Sequence, residues 1–111
     1  VRKLMEKKYV ERALRLPLDV EVNCDGNQMF YSKNISETGI AIISDSPLTE
    51  GKIIQMKFHL PGADTAVNAY GKVVRTASVS EHFFESGISF WDISDDDKKL
   101  LKDFFDSAEC C

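Results

Sequence analysis

Apolar and polar residues alternate along most of the chain with the period of two that half-buried β-strands show. The alternation is clearest from Ile54 to Leu60. On this basis we predict six strands, around residues 18–23, 29–33, 40–43, 54–60, 67–76 and 83–91. The fifth is expected to continue or bend at Gly71, and Gly87 in the sixth marks a bulge or a point of close approach. Short antiparallel strands at roughly ten-residue spacing predict a small β-barrel.

The end of the chain changes to the helical period. Ser94 and Asp97 have the spacing of a capping box, and the acidic residues between them suit the N-terminus of a helix. An apolar stripe follows, made of Leu100, Leu101, Phe104, Phe105 and Ala108. We therefore predict an amphipathic helix over residues 94–108 that covers an open end of the barrel or packs on its side. The predicted fold class is all-β with a C-terminal helix.

Composition adds limits on the class of protein. The chain has 111 residues, enough for one domain with a single core, and no apolar run approaches the roughly 18 residues of a membrane span. We see no signal peptide and expect no membrane insertion. The cysteines, Cys24, Cys110 and Cys111, form neither a disulfide framework nor a C-x-x-C spacing. Reduced thiols favour a cytoplasmic protein.

Charge is distributed unevenly along the chain. The net charge is −4, but residues 1–15 carry +4 and the remainder −8. We expect residues 1–15 to form a basic arm and residues 16–111 to form the barrel with its helix. A basic arm on an acidic body can hold a small anion without attracting long polyanions, so a nucleic-acid partner is disfavoured. The alternative is a solvated leader whose lysines only maintain solubility.

A polar corner between two predicted strands is the strongest candidate binding site. Residues 34–39 have the spacing N-x-S-x-x-G, with Asn34, Ser36 and Gly39 at the specified positions. Taken alone, this pattern also fits a simple Asx or Ser turn closed by glycine. Arg12 and Arg15 stand just before the first strand, where the arm can fold back over the corner. Together these residues predict a site for a phosphorylated, base-containing ligand.

The order of these motifs resembles the PilZ domain family over residues 9–108. The segments that carry the resemblance are Arg15-Leu-Pro-Leu-Asp-Val, Asn34-Ile-Ser-Glu-Thr-Gly-Ile and Gly87-Ile-Ser-Phe-Trp-Asp-Ile-Ser. The resemblance implies a six-stranded antiparallel barrel that binds the bacterial second messenger cyclic di-GMP. It also implies that Asn34, Ser36 and Gly39, which match the family's [D/N]-x-S-x-x-G motif, hold a guanine.

The arm departs from the family's second motif, R-x-x-x-R. Arg15 matches the second arginine of that motif, but Glu11 occupies the first position and Arg12 is one residue out of register. Guanidinium groups bind phosphate bidentately, whereas a nearby carboxylate repels it. Arg75 stands where the family often carries a residue that reaches the ligand, and its planar group could stack on guanine. An exposed strand arginine with no such role is the alternative.

Other residue types indicate neither catalysis nor a metal site. His59 and His82 have no acidic or cysteine neighbours at ligand spacing, so we expect both on the surface. Trp91 and the phenylalanines from residue 58 onward are expected in the core. Ser36 has no assignable histidine partner, so a nucleophilic mechanism lacks support. We expect a binding protein, without an enzymatic activity or a cofactor.

Three functional hypotheses are compatible with the sequence. The first is a cyclic di-GMP sensor in which the ligand binds both the corner and the arm. Binding then orders the arm against the barrel and changes the surface that a downstream protein can contact. The second is a PilZ-like domain that does not bind the nucleotide and acts through protein–protein interaction. The third, a barrel that binds single-stranded nucleic acid, is disfavoured by the acidic body and by the lack of interleaved surface aromatic and basic residues.

Overall fold

The computed structural model describes residues 15–109, and the side chains of residues 15–107. Glu11, Arg12 and the rest of the predicted arm before Arg15 lie outside the described residues, as do Cys110 and Cys111. The elements are β1 (Leu16–Pro17), β2 (Glu21–Cys24), β3 (Gln28–Ile35), β4 (Gly39–Ser44), β5 (Ile53–Phe58), β6 (Val67–Ser78), β7 (Phe84–Ile93) and helix α1 (Asp95–Glu109).

Six antiparallel strands close into a barrel. The hydrogen-bonded order is β3-β2-β5-β6-β7-β4, and a further pairing of β3 with β4 closes the sheet. All of these pairings are antiparallel. The predicted six-stranded barrel with a C-terminal helix is thus confirmed.

The first predicted strand is interrupted. Of the predicted residues 18–23, only 21–23 form a strand, as part of β2. The short β1 lies before the predicted strand, and the two elements pair with different parts of β3. Ser32 explains the break, because its hydroxyl donates to the Leu18 carbonyl and accepts from the Val20 amide at 2.9 Å. The two hydrogen bonds of this buried hydroxyl replace the backbone hydrogen bonds that the Leu18 carbonyl and the Val20 amide would form in a continuous strand. The short β1 is what keeps Arg15 next to the end of β3.

The barrel interior is filled by one apolar cluster. Its members come from every barrel strand and from α1, and include Val22, Phe30, Ile35, Ile40, Ile42, Met56, Phe58, Val67, Val73, Ile88, Leu101 and Phe105. Gly71 lies where β6 passes close to this core, since a Cβ there would collide with Ile88 and approach Met56 Cε at 2.6 Å. The predicted bend takes the form of a register shift between Tyr70 and Gly71 within one continuous β6.

Helix α1 begins as predicted. The Ser94 hydroxyl accepts a hydrogen bond from the Asp97 amide at 3.2 Å and donates to the Asp97 carboxylate at 3.1 Å. That carboxylate also accepts from the Asn68 amide at 3.3 Å, which ties the first turn to β6. Leu101 and Phe105 are buried in the core, and Leu100 and Phe104 pack against it. The apolar side of the helix therefore packs into the barrel and completes the core.

Two aromatic predictions are wrong. Trp91 is 66% exposed and Phe83 is 49% exposed. The register shift explains Trp91, because Phe90 pairs with Gly71 and Asp92 pairs with Tyr70, leaving Trp91 as an extra residue outside the ladder. Phe83 lies just before β7 begins. The predictions that His59 and His82 lie on the surface are confirmed.

Within residues 15–109, no helix combines the length and the apolar character needed to cross a membrane.

Candidate functional site

Ser36 organises the predicted polar corner from the inside. Its amide donates to the Gly39 carbonyl at 2.8 Å, and its hydroxyl accepts from the amides of Thr38 and Gly39 at 3.2 and 3.1 Å. The side chain is fully buried. The corner therefore is the Ser turn that the spacing allowed, and the hydroxyl fixes the backbone on which neighbouring groups are displayed.

Gly39 is required by close packing. It does not have a positive φ, but a Cβ at this position would collide with the carbonyl oxygen of Ile88 and lie 3.4 Å from the Cα of Ser89. Beside it, the Phe90 amide donates to the Thr38 carbonyl at 2.9 Å. The absence of a side chain thus lets the corner dock directly on β7.

Arg15 and Asn34 are in direct contact. The Nε of Arg15 donates a hydrogen bond to Oδ1 of Asn34 at 2.7 Å. The pairings of Leu16 with Ile35 and of Pro17 with Asn34 place the two residues side by side. The predicted meeting of the last arm arginine with the corner is therefore present in the structure. Arg15 is exposed and Asn34 is partly exposed, so the remaining polar groups of both side chains face outward.

Arg75 lies on the same outer face, at the far end of a row of cross-strand partners. Asn34 pairs with Ala41, Ala41 with Gly87, and Gly87 with Arg75. We call these four residues the cross-strand row. Three strand spacings separate its ends, which is about 14 Å measured along the curved sheet from Asn34 to Arg75. The two middle positions are small and buried, so the row forms a low floor that neighbouring side chains cover, with an arginine at each side.

The side chain of Arg75 crosses over Gly87. A Cβ built on Gly87 would lie 3.2 Å from both Cγ and Nε of Arg75 and 3.5 Å from Cζ. The prediction that Gly87 marks a close approach is confirmed, and the approaching group is this side chain. The register shift between Val73 and Arg75 turns the arginine to the outer face. The Arg75 side chain is 59% exposed and can be reached from solvent.

A charged pair that the sequence did not reveal flanks the cross-strand row. Nζ of Lys33 lies 2.9 Å from Oε1 of Glu85, and Nη2 of Arg75 lies 3.9 Å from Oε2 of the same carboxylate. Lys33 reaches over β4 to make this contact. Since residues 33 and 85 are far apart in sequence, only the strand order β3-β4-β7 brings them together. The outer face thus carries two cations beside one carboxylate.

A groove formed by residues of β2, β3 and β5 and of the loops beside them has other chemistry. It encloses about 510 Å³ and is lined by Val20, Glu21, Asn23, Met29, Lys57, Phe58 and His59. It contains neither an arginine nor any member of the corner. Among the described residues, no group of three histidine, cysteine or acidic side chains is placed to hold a metal ion. The cross-strand row and the corner therefore have the better chemistry for a phosphorylated ligand.

The PilZ domain family profile matches residues 7–107. The chain belongs to the PilZ domain family. The match covers the described barrel, its helix as far as residue 107, and the part of the arm that contains Glu11 and Arg12. No curated protein matches the chain.

Solved structures with the same fold include several PilZ-type proteins. The inhibitor of motility MotI/DgrA of Bacillus subtilis superposes with a TM-score of 0.75 at 17% identity, over 90% of this chain and 51% of that one. YcgR of Escherichia coli in complex with c-di-GMP gives a TM-score of 0.69 at 16% identity, over 89% and 46%. PlzA of Borreliella burgdorferi, also in complex with c-di-GMP, gives 0.59 at 17%, over 94% and 45%. The chain spans about half the length of these proteins.

Proposed function

We propose that this PilZ domain is a cyclic di-GMP sensor of bacterial signalling that binds its ligand on the outer face of the barrel. The observation that carries the proposal is the hydrogen bond between Arg15 and Asn34, because it holds an arginine, the type of side chain that binds phosphate bidentately, beside the corner. The structures of YcgR and PlzA in complex with c-di-GMP support the choice of ligand.

Each proposed ligand residue has a distinct role. Arg15 binds a phosphate through the donors that Asn34 leaves free, and the amide of Asn34 binds a guanine edge. Ser36 and Gly39 hold the backbone of the corner in the shape that the base meets. Arg75 lies over Gly87, stacks the face of its guanidinium on the purine, and binds a ligand phosphate through the N–H donors at the edge of the same group. Arg12, in the arm, also contacts the bound ligand, and this contact orders the arm against the barrel.

The consequence of binding is a change of surface and not a reaction. We infer that ordering the arm covers part of the outer face and alters what a downstream protein contacts, without a catalytic step. A cytoplasmic site of action fits a domain that reads an intracellular messenger.

A thermal-shift titration tests this function. Cyclic di-GMP at a hundredfold excess over its dissociation constant should stabilise the domain by about 2.7 kcal/mol, which raises the melting temperature by several degrees. GMP and GTP at the same concentration should raise it much less, because neither can bridge both arginines and the corner. No shift with cyclic di-GMP would contradict the proposal.

The alternative function, a PilZ domain that acts through protein contacts alone, is favoured by one observation. Large apolar side chains stand on the surface at Met29, Tyr31, Phe83 and Trp91, with exposed fractions of 49 to 66%. Exposed aromatic residues of this kind are common at protein interfaces. The same titration separates the two functions, since a domain of the second kind is not stabilised by the nucleotide.

A further inference from the structure

Glu85 lies beside the cross-strand row, between two cations. It stands two positions before Gly87 on β7 and therefore faces the same side of the sheet. Its side chain is only 14% exposed, because Lys33 approaches from β3 and Arg75 from β6. The arginine that we assign to the ligand thus has an acidic neighbour within the protein.

The two contacts of Glu85 are unequal. The distance of 2.9 Å from Lys33 Nζ to Oε1 is that of a charge-assisted hydrogen bond. The distance of 3.9 Å from Arg75 Nη2 to Oε2 exceeds hydrogen-bonding range. Within the described part of the chain, the guanidinium of Arg75 donates no hydrogen bond. Lys33 therefore engages the carboxylate, while the guanidinium donors of Arg75 stay available to another acceptor.

A carboxylate and a phosphate compete for the same guanidinium, since both accept two parallel N–H bonds. A small side-chain rotation would bring Glu85 into such contact with Arg75. We propose that Glu85 is an internal competitor of the ligand phosphate for Arg75, and that Lys33 restrains it. The proposal rests on the cyclic di-GMP site described above and adds a control of affinity that is built from this chain's own residues.

Two other roles for these residues give different results. If Lys33 bound the ligand phosphate directly, its loss would weaken binding whether or not Glu85 were charged. If Glu85 only oriented Arg75, removing its charge would weaken binding. Under competition, Glu85→Gln tightens binding and Lys33→Met weakens it. Loss of Lys33 then matters little once Glu85 is neutral.

A double-mutant cycle measured by calorimetric titration with cyclic di-GMP distinguishes these roles. We expect about a fivefold loss of affinity for Lys33→Met and about a fivefold gain for Glu85→Gln, the scale of one partly exposed ion pair. The double variant should bind like Glu85→Gln alone. Lys102→Met on α1 and Glu81→Gln before β7 make the same charge changes at exposed sites and should leave the affinity nearly unchanged.

A second measurement needs no ligand and keeps failure of the competition distinct from failure of the proposed function. NMR of the arginine side chains, with Arg75→Lys used to assign the signal, reports how fast the guanidinium protons exchange with water. Exchange at Arg75 should slow in Lys33→Met, because Glu85 then closes onto it, and should return to the parent rate in the double variant. Unchanged exchange in Lys33→Met overturns the proposal. Slowed exchange in Lys33→Met, together with a parent protein that binds no cyclic di-GMP, supports the restraint and rejects the proposed ligand instead.

Discussion

Arg15 and Asn34 are joined by a hydrogen bond of 2.7 Å between side chains nineteen positions apart. The contact exists because β1 pairs with the last two residues of β3. It connects the end of the basic arm to the first residue of the polar corner. A ligand that binds the corner thus meets an arginine already oriented there, which lowers the entropy lost on binding.

Ser36→Ala should reduce stability. The hydroxyl is the acceptor for two amides in the corner, and the side chain is fully buried. Leaving buried donors without partners costs about 1 to 3 kcal/mol. Chemical denaturation should show this loss of unfolding free energy, and nucleotide affinity should fall with it because the corner loses its shape. A Ser36→Ala protein as stable as the parent would show that the corner does not depend on this hydroxyl.

Substitution by alanine should lower the stability of the domain at Gly39 but hardly at Gly87, although the two glycines lie on the paired strands β4 and β7. At Gly39 the new Cβ meets the backbone carbonyl of Ile88, which cannot move without disturbing β7. At Gly87 it meets the side chain of Arg75, which can swing away. Gly39→Ala should therefore lower the melting temperature by several degrees, on the scale of overpacking, whereas Gly87→Ala should change it little.

The same pair gives a control for binding. Gly87→Ala should still weaken cyclic di-GMP binding, by about 1 kcal/mol, because Arg75 no longer lies flat over the cross-strand row. If Gly87→Ala binds as well as the parent, the position of Arg75 over β7 does not contribute to the site.

Cys24 should be unreactive in the folded protein. Burial, with a smaller effect of the neighbouring Asp25 carboxylate, raises the pKa of Cys24 from 9.0 to about 12. The thiol therefore stays protonated up to strongly alkaline pH, and thiolate is the reactive form. In a Cys110→Ser/Cys111→Ser protein, a thiol reagent should react slowly at pH 8 until denaturant is added. Rapid reaction without denaturant would mean that this part of β2 opens readily.

The same shift predicts how stability depends on pH. Below pH 9 the thiol is protonated in both states, so the stabilising contribution is fully present. Between about pH 9 and 12 the unfolded chain loses this proton first, so the free energy of unfolding should fall as pH rises. Cys24→Ala, compared in the same double-serine background, should show a smaller decline over this range.

Glu11→Arg should tighten cyclic di-GMP binding. Glu11 lies outside the described residues and occupies the position where the PilZ arm motif has its first arginine. The substitution removes a repulsive charge and adds a phosphate donor, so a gain of about 1 kcal/mol is expected, which shrinks as salt rises. Arg12→Ala should weaken the parent more than it weakens Glu11→Arg. Equal affinities at low and high salt would show that this position does not face the ligand.

Much of the fold could be predicted from the sequence because barrel strands and an amphipathic helix have simple periods. The break at Asp19 could not, since it depends on the Ser32 hydroxyl, which reaches it from another strand. Exposure of Trp91 also escaped prediction, because it results from a register shift between β6 and β7. Periodicity along one strand carries no information about such pairings.

The candidate site divides in the same way. Asn34, Ser36, Gly39 and Arg15 could be chosen from motif spacing together with the family resemblance. The floor made by Ala41 and Gly87, and the acidic neighbour of Arg75, required the strand order of the closed barrel. The role of a small residue on the outer face is hard to predict from the sequence, because it depends on which side chain of a neighbouring strand packs over that residue.

The most direct test of the central claim is a calorimetric titration of the parent and of Arg15→Ala with cyclic di-GMP. The account predicts saturable binding to the parent, and a loss of about 1 to 3 kcal/mol of binding free energy in Arg15→Ala, the scale of a charge-assisted hydrogen bond. Because Arg15 is exposed, the melting temperature of the free variant should match that of the parent. Absence of binding to the parent, or equal affinity in Arg15→Ala, would contradict the account.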